Sequence, residues 1–382
     1  MGDAENCDRS GRQTPGILVP QSPAEARGQG QKFLTEIVWI RAISCLAVVA
    51  IHAVSWHQAQ IGQPYHPTPS SVRYVYLTLT FGTPLFITIS EILSARTNPR
   101  ATRSGFLRNR FKYLGIPYLS MIVLYAAITS GLSIHERSFV AELVVNIFGL
   151  FNPYFVLIIL QFAILHQLFA SYLADANPWW VLTIAFGLNI IYLLPFNLYE
   201  APSENIVVTY LWSTYYFYIF PAWIFYFIAG YYIGRNYDHI IAFLLASRVS
   251  WLIAPVIGLA VMFCIEYFHI VNEANSKRID NIVYAMLAAA AIVVVSQRFA
   301  IVPWVIDVVS RHSFGIYLLH IPVLLLLGEL EYPQIFSSGL IAIPFAFITS
   351  LLIALGITAV CNRVPYGCYV VGRLTPSARQ RG

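Results

Sequence analysis

Ten long apolar segments divide this chain of 382 residues, and they constrain its fold more than any other feature. Each approaches the roughly 20 residues that an α-helix needs to cross the hydrocarbon core of a bilayer. The segments are continuous, whereas the strands of a membrane barrel alternate in polarity over about ten residues. Because 58% of the residues are hydrophobic and 11% are charged, the composition argues against a soluble globular protein. We therefore predict an all-α polytopic membrane protein with about ten transmembrane helices, at approximately 37–56, 74–95, 113–132, 153–173, 178–197, 211–233, 250–269, 281–299, 311–328 and 340–361.

The distribution of Lys and Arg predicts how these helices are oriented. If both termini are cytoplasmic, 18 of the 23 basic residues lie in cytoplasmic tails and loops, six of them in the loop 96–112. Such an excess is typical of cytoplasmic loops, so we predict that both termini are cytoplasmic. The same loops account for the net charge of +5, which therefore requires no nucleic-acid partner. The opposite side would then carry four basic residues, Arg73, Arg137, Lys277 and Arg278.

The domain organisation predicted from the sequence is simple. One membrane domain at 36–365 lies between a disordered cytoplasmic tail at 1–35 and a short cytoplasmic tail at 366–382. The first tail is rich in Gly, Pro, Ser and Gln and lacks an apolar stretch that could form the core of a signal peptide. The five cysteines are scattered and follow neither a metal-binding nor a disulfide spacing, so we expect no metal.

The first apolar segment contains two ionisable residues, Arg41 and His52. On an α-helix this spacing brings the two side chains within about 20° of the same direction and about 16 Å apart along the axis. An ionisable group inside a membrane costs about 2 kcal/mol or more and usually faces a functional cavity. The alternative is that Arg41 extends to lipid headgroups while His52 hydrogen-bonds a neighbouring helix. The shared face favours the functional interpretation of the pair.

The sequence "RAISCLAVVAIH" resembles the signature of Arg, ten residues and His in the acyltransferase-3 family of membrane proteins. The resemblance extends over nearly the whole chain after the tail, in the family's order. It implies a bacterial inner-membrane enzyme that moves an acyl group, with acetyl favoured, from cytoplasmic acyl-coenzyme A to a hydroxyl of a surface or exported polysaccharide. Other similar segments are "FGTPLFITISEIL", "RFKYLGIPYLSM", "NPYFVLIILQFAI", "FPAWIFYFIAGYYIGR" and "SRHSFGIYLLHIPVL".

Two positions depart from the family's pattern. Ser90 is followed by Glu91 where the family usually has Gly, and Tyr113 occupies a position that is often basic, with Lys112 beside it. We expect no soluble hydrolase-like domain of the kind that is fused to some members, so any second acyl-handling step would need a partner. The expected partners are the lipid bilayer, a glycan or lipid-linked saccharide acceptor and polysaccharide assembly proteins.

Acyl transfer requires a base for the hydroxyl proton and cations for the charged donor. His52 would act as this base or would itself accept the acyl group, and both routes stay open. Arg41 would hold the pantetheine end or a phosphate of the donor, and Arg108, Arg110 and Lys112 would contact its phosphates. The alternative for this basic loop is that it only sets the topology.

Further polar residues complete the predicted site. We expect Glu91 to form an ion pair with one of the loop arginines, with lining of the donor pocket beside Ser90 as the alternative. Tyr317 and His320 share one helix face and would orient the donor or line the acceptor channel, unless the histidine is simply a satisfied core residue. Gln161 either lines the site or joins its helix to a neighbour.

Two other functional classes are compatible with intramembrane Arg and His. A transporter or flippase of lipid-linked sugars or small anions would have two corresponding broken helices in related halves, which the sequence does not suggest. A non-catalytic scaffold of a polysaccharide export complex would tolerate any replacement of His52. A remaining histidine, His166, is expected to be cytoplasmic or interfacial and to have a structural role.

Overall fold

The computed structural model describes residues 23–62, 71–132, 134, 137–147, 153–271, 273, 275–329 and 338–377, and these form helices without a β-strand. Within this part of the chain, eight helices are long and apolar enough to cross a membrane, and a bent helix pair is a ninth candidate. The predicted all-α polytopic fold is therefore confirmed. Residues 1–22 of the predicted tail lie outside the described residues.

The α-helices follow one another along the chain, with a π-helical turn at Phe111–Gly115 and 3₁₀ turns at Tyr215–Phe217 and Phe220–Trp223. They are α1 (Pro23–Gln60), α2 (Ser71–Thr78), α3 (Gly82–Thr97), α4 (Phe106–Arg110), α5 (Ile116–Gly131), α6 (Phe139–Ile147), α7 (Tyr154–Asp175), α8 (Pro178–Leu198), α9 (Ile206–Ser213), α10 (Ile224–Arg235), α11 (Tyr237–Ala246), α12 (Arg248–Tyr267), α13 (Asn281–Ser296), α14 (Trp304–Gly328), α15 (Gly339–Cys361) and α16 (Cys368–Val371).

Two of the ten predicted segments differ from a single long helix. The segment 281–299 forms α13, whose 16 residues are fewer than the 18 that each candidate span reaches. The segment 211–233 is broken, because the helical stretches Val207–Phe217 and Phe220–Arg235 meet at an angle of 42°. Pro221 lies directly after the break, and proline cannot supply the backbone N–H that a continuous helix needs. The apolar character of a segment predicts that it crosses the membrane, but it does not predict where the helix bends.

Helix α1 lies inside the bundle, where it packs against α3, α13, α14 and α15. Its contact with α3 depends on Gly82, because a Cβ atom there would lie 2.9 Å from Cγ2 of Val48 and 3.0 Å from the backbone oxygen of Ser44. Small residues let membrane helices approach closely in this way. Gly230 of α10 allows the same approach to Glu91 of α3. Side chains of α1, α3 and α14 therefore meet in one interior.

Successive spans alternate in direction, so their ends form two sides of the bundle. The Arg41 side is the one nearer Arg41 on α1; here α3 and α7 end, and Arg100 pairs with Asp175 at 2.7 Å. On the opposite side, the His52 side, α7 begins while α8 and α12 end. Which side faces the cytoplasm stays a prediction. The basic residues predicted to face outward all belong to the His52 side, namely Arg73, Arg137, Lys277 and Arg278.

Candidate functional site

The imidazole rings of His52 on α1 and His320 on α14 face each other across the interior. Their ring centroids are 5.1 Å apart, with an angle of 51° between the ring planes. The phenol ring of Tyr317 lies 5.5 Å from His320 on the same helix, and it contacts Phe86 of α3 and Phe155 of α7. The sequence predicted both histidines as site residues, but it could not predict that they are partners, because periodicity within one helix does not identify its neighbour.

The two nitrogens of His320 have different surroundings. Nδ1 lies 3.1 Å from the carbonyl oxygen of Ile316, and a carbonyl only accepts, so Nδ1 carries the proton in this contact. Nε2 is buried and has no hydrogen-bond partner among the described residues. An unsatisfied buried polar atom costs about 1–3 kcal/mol. His320 is therefore not the satisfied core histidine of the alternative interpretation, and its Nε2 is available to a ligand.

Two guanidinium groups come together at the other end of the same face of α1. Arg41 is half-buried and close enough to Arg110 for their charges to repel each other. Arg110 is held by α3, since its Nη2 donates to Oγ of Ser94 at 2.7 Å and to the backbone oxygen of Ser90 at 3.5 Å. Within the described part of the chain no carboxylate forms an ion pair with Arg41. Two adjacent cations of this kind suit a phosphate ligand.

Glu91 is not paired with an arginine, contrary to the prediction. Its Oε1 lies 2.7 Å from Nδ1 of His166 on α7, and Nε2 of His166 lies 2.9 Å from the backbone oxygen of Asn98. Both side chains are almost fully buried, so His166 is not the interfacial residue that we expected. The carbonyl oxygen of Asn98 requires a proton on Nε2, which leaves one shared proton between Nδ1 and the carboxyl group. Nothing in the spacing of Glu91 and His166 along the chain signals this contact.

The remaining basic residues of the predicted donor site lie closer to the surface. Arg108 is exposed, and Lys112 is half-buried with its Nζ 5.5 Å from the ring centre of Tyr113 and 5.4 Å from that of Tyr369. The π-helical turn begins directly after Arg110. Such turns change the direction of neighbouring side chains and are frequent at functional sites. Arg110 is thereby separated from Lys112, and of the predicted loop cations it is the one next to Arg41.

Gln161 stabilises the broken span rather than the histidine pair. Its Nε2 donates to the backbone oxygen of Tyr218 at 2.8 Å, and its Oε1 accepts from the backbone N–H of Phe220, also at 2.8 Å. At the break these two backbone groups lack a partner within the helix, and Gln161 supplies one for each. A backbone group inside a membrane needs such a partner, because no water is available there. Of the two interpretations of Gln161, these contacts therefore agree with the second, in which Gln161 joins its helix to a neighbour.

A cavity of about 460 Å³ lies on the Arg41 side, away from the histidine pair. Three arginines line it, and each already has a partner. Arg96 binds Asp238 at 3.3 Å, Arg100 binds Asp175, and Arg235 donates to the backbone oxygen of Ala174. The cavity is therefore less suited to an anion than the Arg41–Arg110 pair. The lining residues are Ala95, Arg96, Pro99, Arg100, Ala174, Gly234 and Arg235.

Comparison with known proteins identifies the family of this chain. The acyltransferase domain of the acyltransferase-3 family matches residues 34–359. A putative membrane-bound acyltransferase of Bacillus subtilis, YfiQ, is 32% identical over 356 residues, which cover 89% of this chain and 95% of the relative. No solved structure matches.

Two further relatives are named as probable poly-beta-1,6-N-acetyl-D-glucosamine export proteins. The protein of Staphylococcus aureus strain MRSA252 is 28% identical over 337 residues, covering 85% of this chain and 93% of its own length. The protein of Staphylococcus epidermidis is 28% identical over 338 residues, covering 84% and 88%. The family match spans most of the chain, and the B. subtilis relative covers nearly all of it. The chain therefore belongs to the acyltransferase-3 family and is a multi-pass membrane-bound acyltransferase.

Proposed function

We propose that this enzyme is an O-acyltransferase of the bacterial inner membrane that moves an acyl group, with acetyl favoured, from cytoplasmic acyl-coenzyme A to a polysaccharide hydroxyl. The observation that carries the proposal is the pair of facing imidazoles, His52 and His320, on the helix face whose other end carries Arg41. This arrangement supplies a base at one end of α1 and cations at the other. Both His52 and Arg41 are half-buried, so neither side chain is sealed by its neighbours.

The proton and the acyl group can be followed through the transfer step. The acceptor oxygen attacks the thioester carbonyl carbon while His52 takes the hydroxyl proton. The carbon–sulfur bond then breaks, and the leaving thiolate recovers the proton from the imidazolium ion. In the covalent route, the imidazole first displaces the thiol and the hydroxyl then displaces the imidazole. In either route, Nε2 of His320 can accept a hydrogen bond from a neighbouring hydroxyl.

The donor would enter from the Arg41 side, which we predict to be cytoplasmic. Arg41 and Arg110 would hold phosphate oxygens of acyl-coenzyme A, with Arg108 and Lys112 contributing nearer the surface. Ser90 and Ser94 keep Arg110 in place through the contacts described above. The pantetheine arm would then extend along α1 toward His52. The names of the staphylococcal relatives support a polysaccharide acceptor on the opposite side.

A transporter or flippase of lipid-linked sugars is the second candidate function. The names of the staphylococcal relatives and the bend of 42° between Val207–Phe217 and Phe220–Arg235 favour it. Transporters with discontinuous helices usually have two of them in related halves, and the described residues contain one such bent pair. The facing imidazoles, by contrast, have an immediate role in acyl transfer.

Replacement of His52 distinguishes these functions. In cells that depend on this protein for glycan acylation, we expect His52→Gln to remove the ester while the amount of exported polymer stays unchanged. Mass spectrometry of the surface glycan measures the ester, and polymer is quantified in parallel. His239→Gln is the control, because His239 is an exposed histidine on α11. Loss of the polymer itself would favour transport, and retention of the ester would refute a catalytic role of His52.

A further inference from the structure

Lys277 is a buried basic residue on the His52 side that has no role in the proposed transfer step. Its side chain is only 9% exposed. Its Nζ lies 3.9 Å from the ring centre of Phe217 and 5.3 Å from that of Tyr154. Among the described residues, the ammonium group forms neither a hydrogen bond nor an ion pair. A cation taken out of water without a polar partner needs an explanation.

The next residue, Arg278, shows how a cation is otherwise buried on this side. Arg278 is fully buried, and its guanidinium donates to Glu266 at 2.6 Å and to Asp280 at 2.6 Å. Lys277 lacks such partners, and burial lowers its pKa to about 8, although the nearby Glu273 opposes this shift. Two adjacent cations are therefore buried, but among the described residues only Arg278 has carboxylate partners within ion-pair distance, whereas Lys277 has the aromatic rings and the more distant Glu273. The three N–H donors of its ammonium group have no acceptor in the described part of the chain.

The backbone around Lys277 holds this side chain in place. The backbone N–H of Lys277 donates to Oδ1 of Asn275 at 2.8 Å, and its carbonyl oxygen accepts from Nδ2 of Asn197 at 3.3 Å. Asn197 also accepts from the backbone N–H of Ile279 at 2.9 Å. Helix α8, which carries Asn197, thus fixes the loop that carries Lys277. These hydrogen bonds fix the backbone from which the Lys277 side chain extends.

Aromatic rings form the surroundings of the ammonium group. The ring of Tyr154 lies 4.9 Å from Phe217, 5.4 Å from Tyr218 and 6.2 Å from Trp223, measured between ring centres. Aromatic faces bind the C–H face of a sugar ring, and an ammonium group donates to sugar hydroxyl or amide oxygens. An apolar wall with one polar donor is the composition expected of a ligand site.

One step along α7, followed by a series of ring contacts, connects this region with the histidine pair. Tyr154 is followed in the chain by Phe155, whose ring centre lies 3.9 Å from that of Tyr317. Tyr317 contacts His320, and His320 contacts His52. Because a polysaccharide extends over several sugar units, one unit can lie at Lys277 while another reaches His52.

We propose that Lys277, Phe217 and Tyr154 form an acceptor subsite that binds one sugar ring of the polysaccharide beside the ring that is acylated. Lys277 is then a positioning residue that donates hydrogen bonds to sugar oxygens and does not touch the reacting hydroxyl. This inference rests on the proposed function, because it assigns the binding of the acceptor in that same reaction. It predicts that Lys277 affects the KM for the acceptor and not the KM for the donor.

The test uses the full-length protein in proteoliposomes with radiolabelled acetyl-coenzyme A. The acceptor probe is polysaccharide purified from the producing strain after deletion of the gene for this protein. We expect Lys277→Met to raise the acceptor KM about tenfold or more, since each lost charge-assisted hydrogen bond has this order of effect. The donor KM should stay unchanged, and Lys277→Arg should recover part of the affinity. Arg137→Met is the control, because it removes one exposed positive charge on the same side.

The melting temperature of the same variants in detergent separates binding from structure. Lys277→Met keeps a long buried side chain but removes the contacts of the ammonium group with the rings of Phe217 and Tyr154 and its charge near Glu273, so a small decrease in melting temperature is compatible with the subsite. An unchanged acceptor KM, or a lower melting temperature with equal effects on both substrates, would overturn the subsite. If the unsubstituted protein does not acylate the polysaccharide, or if His52→Gln is fully active, the proposed function itself fails, which is a different result.

Discussion

The two sides of the bundle differ in how they treat buried charge. On the Arg41 side, Arg41 and Arg110 repel each other, and the buried carboxylate of Glu91 forms its hydrogen bond with His166 and not with a guanidinium group. On the His52 side, the buried arginines Arg73 and Arg278 are neutralised by carboxylates, and in the described part of the chain the buried atoms without a hydrogen-bond partner include Nε2 of His320. Two cations thus lie close together without a shared carboxylate on the Arg41 side, whereas Arg73 and Arg278 share Glu266 on the His52 side.

This difference matches the chemistry of the two proposed substrates. Acyl-coenzyme A carries several phosphate charges, which two adjacent guanidinium groups can bind. An acceptor hydroxyl is neutral and needs a base for its proton, a role that we propose for the histidine pair. Glu91 forms its hydrogen bond with His166 and no ion pair with Arg110, although the charges of Glu91 and Arg110 attract each other.

The largest effect is expected at this buried pair. Glu91→Leu removes the partner of a buried histidine and should lower the free energy of unfolding by about 3 kcal/mol, because His166 is left with an unsatisfied nitrogen. Chemical unfolding in detergent measures the change. Asp175→Asn is the matched control on the same side, since Asp175 and Arg100 are both largely exposed, and it should leave the stability unchanged. Equal stability of both variants would show that His166 does not depend on Glu91.

The second effect concerns the cation pair and should be specific to the donor. Arg41→Gln should raise the KM for acyl-coenzyme A by about tenfold to a hundredfold, since a hydrogen bond to a charged group contributes about 1.5–3 kcal/mol. The acceptor KM should not change, which is the opposite of the result expected for Lys277→Met. Arg103→Gln serves as the control, because Arg103 is an exposed arginine in the loop between α3 and α4 on the same side of the bundle. If Arg41→Gln changed both KM values equally, the two sides would not divide the substrates between them.

The sequence predicts the helical architecture well because each span is long, apolar and continuous. It predicts the shared face of Arg41 and His52 for the same reason, since helical periodicity acts within one element. Contacts between elements follow from close packing and have no comparable signature. The partner of Glu91 was therefore predicted wrongly, and the bend beside Gln161 was not foreseen. Lys277 was counted only as a loop charge, because its burial against Phe217 depends on helices distant in the sequence.

The smallest effect is expected for substitution of His320, which tests whether the second imidazole on the His52 side contributes to the transfer step. His320→Phe keeps the ring and removes the unpartnered Nε2, so we expect kcat to fall about tenfold while both KM values stay unchanged. The loss of stability should be no larger than that of His312→Phe, because both variants lose one intrahelical contact and the other nitrogen of His320 was buried without a partner in the described part of the chain. Single-turnover acyl transfer in proteoliposomes measures the chemical step.

His312→Phe is the matched control for this experiment. His312 lies on the same helix, and its Nδ1 contacts the carbonyl oxygen of Val308 at 2.8 Å, four residues earlier, as Nδ1 of His320 contacts Ile316. Both substitutions therefore remove the same intrahelical contact, but only one removes an imidazole that faces His52. A similar decrease of kcat in the two variants would assign the effect to the helix. A decrease in His320→Phe alone would show that the second imidazole assists the proton transfer at His52.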